Sequence, residues 1–227
     1  MAEQTPAQDF AEQRARLVAE VEETYAETSA ETGIPRMSPL VRAALGKVER
    51  HRLVPASHID AAYRNHPLPI GHGQTISQPY IVAISTDLLN LKGGETVLDI
   101  GTGSGYQAAV LAEIAAHVYS IEIIAPLGNE ARKRLGAMGY RNIEIKIGDG
   151  YAGWPEKGPF DGIIVTAAAP DVPPALVAQL KPGGRMVIPV GGGYDIQYLK
   201  LITKRADGGF DEKRVLPVRF VPLVPGR

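Results

Sequence analysis

The sequence predicts an α/β fold: a doubly wound, mainly parallel sheet with an antiparallel C-terminal edge and extra N-terminal helices. Three observations carry that expectation. From Lys92 onward, short apolar strands alternate with helical runs, the pattern of a sheet covered by helices on both faces. A glycine-rich turn, "GTGSG", follows the first of these strands and opens a helix. The C-terminal stretch "YLKLITKRADGGFDEKRVLPVRFVPLV" reads instead as two strands joined by a turn at 207–209. Antiparallel strands commonly finish a parallel sheet.

The elements follow in order. Residues 8–30 are polar and acidic, with Phe10, Leu17, Val18, Val21 and Tyr25 at helical spacing, which predicts a surface or docking helix. "MSPLVRAALGKVER" predicts a second helix with Ser38 as N-cap and Pro39 in its first turn. "HRLVPASHIDAAYRNHPLPI" reads as loop, broken by Pro55, Pro67 and Pro69. "GHGQTISQPY" leads into the apolar helical run "IVAISTDLLN", with Ser77 placed to cap it. "ETVLDI", "HVYSIE", "IEIKIGDG", "DGIIVTAAA" and "GGRMVIPVGG" are the strands of the parallel region. "YQAAVLAEIA", "LGNEARKRLGAMGY" and "PPALVAQL" are the helices between them. We expect residues 1–35 to form a helical extension and 36–227 a single catalytic domain.

Bulk composition narrows the function. The net charge of −1 lacks the basic footprint of a nucleic-acid binder, the "RKR" of Arg132–134 being only a local patch. Charged residues interrupt every long apolar run, so no membrane span is expected. The absence of cysteine removes disulfides, thiolate metal sites and a thiol nucleophile, and we expect no metal. "MAEQTPAQDF" has no apolar leader core, which suggests the cytoplasm, although the same residues suit an exported protein after leader cleavage.

The turn after the first parallel strand decides the cofactor class. Its spacing is G-x-G-x-G through Gly101, Gly103 and Gly105, with Tyr106 where a dinucleotide fold keeps its third glycine. Asp99 stands two residues before the first glycine, where a carboxylate would repel a pyrophosphate. It suits a ligand with an ammonium and a sulfonium charge, and S-adenosylmethionine has both. Glu122 closes the next strand, where an acid takes ribose hydroxyls, and Asp149 follows the third, placed to accept from an adenine amino group. Taken singly, each acid is equally a loop residue capping a turn.

Six stretches resemble protein-L-isoaspartate O-methyltransferases, in the same order: "PLPIGHGQTISQP", "VLDIGTGSGY", "GDGYAGWP", "PFDGIIVTAAAP", "LKPGGRMVIPVG" and "PVRFVPL". The resemblance spans residues 48–224, and residues before about 35 fall outside it. It implies a Rossmann-like methyltransferase that esterifies the α-carboxylate of L-isoaspartyl residues in damaged proteins and peptides. S-adenosyl-L-homocysteine is the other product, and the ester leaves through a succinimide, so the reaction begins repair. The resemblance also implies a catalytic role for Ser77, which we read as orienting the substrate carboxylate. Capping and orienting are compatible roles for one hydroxyl at a helix start.

Around it we place cofactor contacts at Gln74, Thr75, Ile76, Asp99, Gly101, Thr102, Gly103, Glu122, Ile123, Asp149 and Gly150. Peptide contacts are placed at Thr75, Ser77, Ala168, Pro189, Val190, Arg219 and Phe220. The small residues of "VTAAAP" and "IPV" would let a peptide backbone approach. Many family members carry histidine after the proline of "TISQP"; here it is Tyr80. None of the five histidines is needed as a base, because a carboxylate is already ionised at neutral pH. His117 reads as structural, His72 as loop, and Trp154 as a packing anchor. "TISQP" is not the G-x-S-x-G of a hydrolase. Two other readings stand beside the first. One is a same-fold methyltransferase acting on a small molecule, another protein carboxylate or a nucleic acid, although no N-P-P-Y follows the fourth strand. The other is a cofactor-binding module without catalysis. We expect a monomer with isoaspartyl proteins and peptides as its partners.

Overall fold

The computed structural model describes residues 9–192 and 196–226, so the first eight residues of the expected extension lie outside it. The chain opens with α1 (Phe10–Glu27), α2 (Ser29–Thr32) and α3 (Pro39–Lys47). Asp9 caps α1 by accepting from the backbone N–H groups of Ala11 and Glu12, and Ser38 caps α3 by accepting from that of Val41. Two 3₁₀ turns, Arg50–Leu53 and Ala56–Ala61, occupy the stretch expected to be loop. Then come β1 (Leu68–Gly71), β2 (Gln74–Ile76) and α4 (Pro79–Leu89). The winding region is β3 (Thr96–Ile100), α5 (Tyr106–Ala112), β4 (His117–Glu122), α6 (Ala125–Ala137) and β5 (Ile143–Ile147). It continues through β6 (Phe160–Val165), α7 (Pro174–Ala178) and β7 (Leu180–Val190) to β8 (Gln197–Lys204) and β9 (Phe210–Val218).

The large sheet has seven strands in the order β5-β4-β3-β6-β7-β8-β9. Pairing is parallel from β5 to β7 and antiparallel from β7 to β9, as expected from the sequence. The chain winds outward from β3 to β5, then returns to pair β6 on the other side of β3. The strand order therefore reverses beside β3, and ligands bind at the carboxyl ends of strands at such a switch point.

Side chains alternate across a strand, and the core divides accordingly. Val97, Val118, Ile145, Ile164, Val187 and Leu199 point to one face, into a core shared with α1, α3, α4, α5 and α6. Leu98, Ile100, Ile121, Ile163, Met186 and Ile188 point to the other, with Leu176 and Val177 of α7 and with Trp154 and Phe160. Trp154 meets Tyr119 edge to face at 5.4 Å, the packing role expected for it. Leu17, Val18, Val21 and Tyr25 of α1 are all buried in the first of these cores, so α1 is docked.

Two features of the segment before β3 depart from expectation. The first is an unforeseen hairpin: β1 and β2 pair antiparallel, with Leu68 opposite Ile76 and Pro69 opposite Thr75. Gly71, His72 and Gly73 all have positive φ at its tip, which glycine tolerates and histidine seldom adopts. The hairpin is short and carries prolines, so no alternating strand pattern announces it. The second is that Ser77 does not cap α4. Gln78 is the N-cap residue, without a side-chain bond, and Pro79 opens the helix. Ser77 lies one position outside, and its hydroxyl makes no hydrogen bond among the described residues.

Candidate functional site

The glycine turn is held from three sides. Gly101 and Thr102 donate their N–H groups to the Ile121 carbonyl, at 2.8 and 3.1 Å. Gly103 N–H donates to Glu122 Oε2 at 2.8 Å, and Ile124 N–H donates to Glu122 Oε1 at 2.9 Å. Thr166, just past β6, donates its hydroxyl to the carbonyls of Ile100 and Gly101, at 2.9 and 2.7 Å. Gly101, Gly103 and Gly105 have φ of 96°, 51° and 89°, so the backbone turns without side chains between it and a ligand.

This turn forms one wall of a crevice. Of the residues assigned to the cofactor, Gln74, Thr75, Ile76, Gly101, Thr102, Gly103, Glu122, Ile123 and Gly150 line it. Among its described lining residues Glu122 alone carries a charge, and no Lys, Arg or His stands among them. A crevice with backbone amides, one carboxylate and no cation fits a ligand that has hydroxyls and positive charge but no phosphate.

A shallower groove adjoins it, lined among others by Thr75, Ser77, Gln78, Thr166, Arg219 and Phe220. Thr75, Ser77, Thr166 and Val221 belong to both cavities, so Ser77 stands where they open into each other. Gln197 grips Phe220 on both sides, donating to its carbonyl at 3.1 Å and accepting from its N–H at 2.6 Å. Arg219 is exposed and is the sole charged residue among those lining the groove.

Five assigned residues do not face these cavities. Asp99 has no exposed surface: Ser120 Oγ donates to its Oδ2 at 2.7 Å, and Oδ1 has no partner. It acts behind the turn, through Ser120 Oγ, which lies 2.5 Å from Thr102 Oγ1. Asp149 is half-buried beside the crevice, and its oxygens accept from the N–H groups of Tyr151 and Gly226. Ala168, Pro189 and Val190 are buried: at Ala168 the protein's own C-terminal segment takes the place expected for a peptide, and Pro189 and Val190 pair with Leu199 and Tyr198 of β8. Ala168 bridges Pro222 in parallel, and Ala169 bridges Val190. Small residues do admit a backbone there, but the backbone is residues 221–223. Tyr80 also faces away: its hydroxyl lies 2.5 Å from Thr28 Oγ1, and its ring meets Tyr25 edge-on at 5.6 Å.

Three contributors escaped sequence reasoning. Thr166 sits inside a motif noticed only for its alanines. The C-terminal segment 221–224 lines the crevice although its sequence reads as an edge. Arg50 is fully buried and donates to the carbonyls of Ala62, Ser77 and His66, at 2.8, 2.9 and 3.2 Å. Nothing in "VERHRLV" distinguishes it from a surface charge. Among the described residues, no three His, Cys, Asp or Glu side chains gather where a metal ion could be held.

Burial pushes the Asp99 carboxyl up to about 7; the Ser120 hydrogen bond opposes the shift and the Glu122 charge adds to it. A carboxyl raised in the folded state contributes stability that is present at low pH and is lost as pH climbs through its folded value. Asp99→Asn is therefore expected to gain stability relative to the parent between about pH 4 and about pH 7, and to hold a constant difference above. Urea unfolding of both proteins across that window tests this; a pH-independent difference would contradict the buried carboxyl.

Comparison with known proteins is consistent with this geometry. A family model described as Protein-L-isoaspartate(D-aspartate) O-methyltransferase (PCMT) matches residues 26–227, so the match starts inside α1 and earlier than the motifs suggested. Protein-L-isoaspartate O-methyltransferase 1 of Cupriavidus necator is 57% identical over 215 residues, 95% of this chain and 83% of that relative. A solved protein-L-isoaspartate O-methyltransferase superposes with a TM-score of 0.81 at 28% identity, over 92% of this chain; this chain spans 65% of that one. A Plasmodium falciparum chain described as a protein-L-isoaspartate O-methyltransferase was solved in complex with S-adenosyl-L-homocysteine. It matches with a TM-score of 0.77 at 25% identity, over 96% of this chain and 99% of its own.

Proposed function

The chain belongs to the protein-L-isoaspartate (D-aspartate) O-methyltransferase family, and from that membership we propose how its two cavities divide the work. The protein methylates isoaspartyl residues with S-adenosylmethionine as methyl donor. The crevice holds the donor and the groove holds the peptide. The observation that carries this division is the rim of Thr75, Ser77, Thr166 and Val221 common to both cavities. It supports a pose with the isoaspartyl carboxylate against the crevice.

S-adenosylmethionine, when bound, supplies a methyl group on a cationic sulfur. The protein's part is to bind, orient and exclude water. The Gly101–Gly103 backbone bounds the donor, and Glu122 takes ribose hydroxyls. Each Glu122 oxygen accepts one backbone N–H and retains a second lone pair for that purpose. The Ser77 hydroxyl, free of partners among the described residues, donates to the substrate carboxylate and aims its oxygen along the transfer line. No general base is required, because that carboxylate is ionised at neutral pH. The C-terminal segment covers the strand ends and shields the junction from water. The methyl ester expels its methoxy group far more readily than a carboxylate expels oxide, so the neighbouring backbone nitrogen closes a succinimide with release of methanol. We infer action as a monomer. No helix among the described residues is long and apolar enough to cross a membrane. We retain residues 36–227 as the catalytic unit, with α1 as its brace.

Transfer of labelled methyl from S-adenosylmethionine to matched peptides tests the function. Label is expected in the isoaspartyl peptide and not in its aspartyl twin. Incorporation into neither, with S-adenosylhomocysteine still bound, would refute the assignment.

A further inference from the structure

Arg50 is a lone buried cation. Its side chain has no exposed surface and makes no ion pair among the described residues, where its neighbours are the rings of Tyr106 and Tyr63. Removing a guanidinium from water without a carboxylate partner costs several kcal/mol. A residue in that setting is kept for what its donors hold.

Those donors hold three backbone carbonyls, one of them in the site. Nη1 donates to the Ser77 carbonyl at 2.9 Å, Nε to that of Ala62 and Nη2 to that of His66. The guanidinium also lies over the Tyr106 ring, 4.7 Å from its centroid. Tyr106 begins α5 immediately after the glycine turn and lines the crevice. One planar group thus ties the backbone of Ser77 to the helix that carries the cofactor turn. The Ser77 hydroxyl has no other anchor: it caps nothing, and only its main chain sets its direction. Arg50 itself lines neither cavity.

We propose that Arg50 is a positioning residue for methyl transfer. By holding the Ser77 carbonyl while seated on Tyr106, it sets where the Ser77 hydroxyl stands relative to the cofactor turn. This rests on the role assigned to Ser77 above. Lysine keeps the charge but has neither the planar fork nor the reach to three carbonyls at once.

The test is a double-mutant cycle on the full chain. Arg50→Lys is expected to lower kcat for an isoaspartyl peptide about 10- to 100-fold at saturating donor, since misplacement near an ångström costs rates of that order. Binding of S-adenosylhomocysteine, read by calorimetry, should stay within about twofold, because no crevice contact is lost. In a Ser77→Ala background, Arg50→Lys should lower kcat little further. Losses that multiply, or a parallel loss of S-adenosylhomocysteine binding, would overturn the proposal. A Ser77→Ala protein with unchanged kcat would instead bring down the Ser77 role, and this proposal with it. Should Arg50→Lys not fold, Arg50→Met removes the buried charge while filling its space. That variant is read through the same cycle with the same outcomes.

Discussion

Ser77→Ala is expected to lower kcat for isoaspartyl peptides about 100-fold, the scale of losing one well-placed donor at a reacting centre. Donor binding should be nearly unchanged, because the turn, Glu122 and Gly150 supply the rest of the crevice. Stability should be nearly unchanged too. A capping serine replaced by alanine costs about 1 kcal/mol, but here Gln78 occupies the cap position and the Ser77 hydroxyl bonds to nothing among the described residues. Surface substitutions of that kind stay within about 0.5 kcal/mol. The two readings of this hydroxyl therefore separate in one experiment. A drop in kcat at constant denaturation midpoint supports orientation of the substrate. A lowered midpoint with kcat intact would mean that the hydroxyl serves the helix. Ser77→Thr, which keeps the oxygen but adds a methyl at the rim of both cavities, should recover part of the rate.

How far the sequence made this site legible depends on how local each cause is. The parallel strands were readable because β3, β4 and β6 are short apolar runs buried on both faces, and because glycines mark the turn after β3. The crevice wall was readable for the same reason: strand, turn and helix are consecutive, so their residues must converge at a strand end. Glu122 faces the crevice, as its place at the end of β4 predicted. Asp99 did not, because its position relative to the turn does not say on which side of the sheet its carboxylate lies. The register that puts Asp99 beside Ser120 of β4 draws it inward to that hydroxyl. Ala168, Pro189 and Val190 failed for a different reason. What covers Ala168 is a segment more than fifty residues later in the chain, and Pro189 and Val190 are taken up by pairing with β8. Arg50 was beyond reach altogether, since its partners are backbone carbonyls, and a carbonyl has no residue type to read.

Gly101→Ala is expected to damage the enzyme at its root, for two causes that add. At φ of 96° an alanine is strained, by about 1–2 kcal/mol. A Cβ built there would also stand 2.5 Å from Thr166 Oγ1, well inside contact distance. That oxygen is not free to swing away, because it donates to the carbonyls of Ile100 and Gly101 on the turn itself. Relieving the clash means giving up hydrogen bonds that shape the crevice, or moving the turn off the Ile121 carbonyl that holds Gly101 and Thr102. Together these predict a loss of about 2–4 kcal/mol in unfolding free energy. S-adenosylhomocysteine affinity should fall at least about 100-fold, since about 2.7 kcal/mol is enough for that change. Thermal unfolding and calorimetry check the two numbers. The cause is checked by Thr166→Ala in the same chain, which removes the clashing oxygen and leaves the backbone strain. That double variant should regain part of the lost stability but less of the affinity, because the turn has then also lost the hydroxyl that fixed it to β6. No recovery of stability would mean that the close approach of Thr166 to Gly101 is not what reserves the position for glycine.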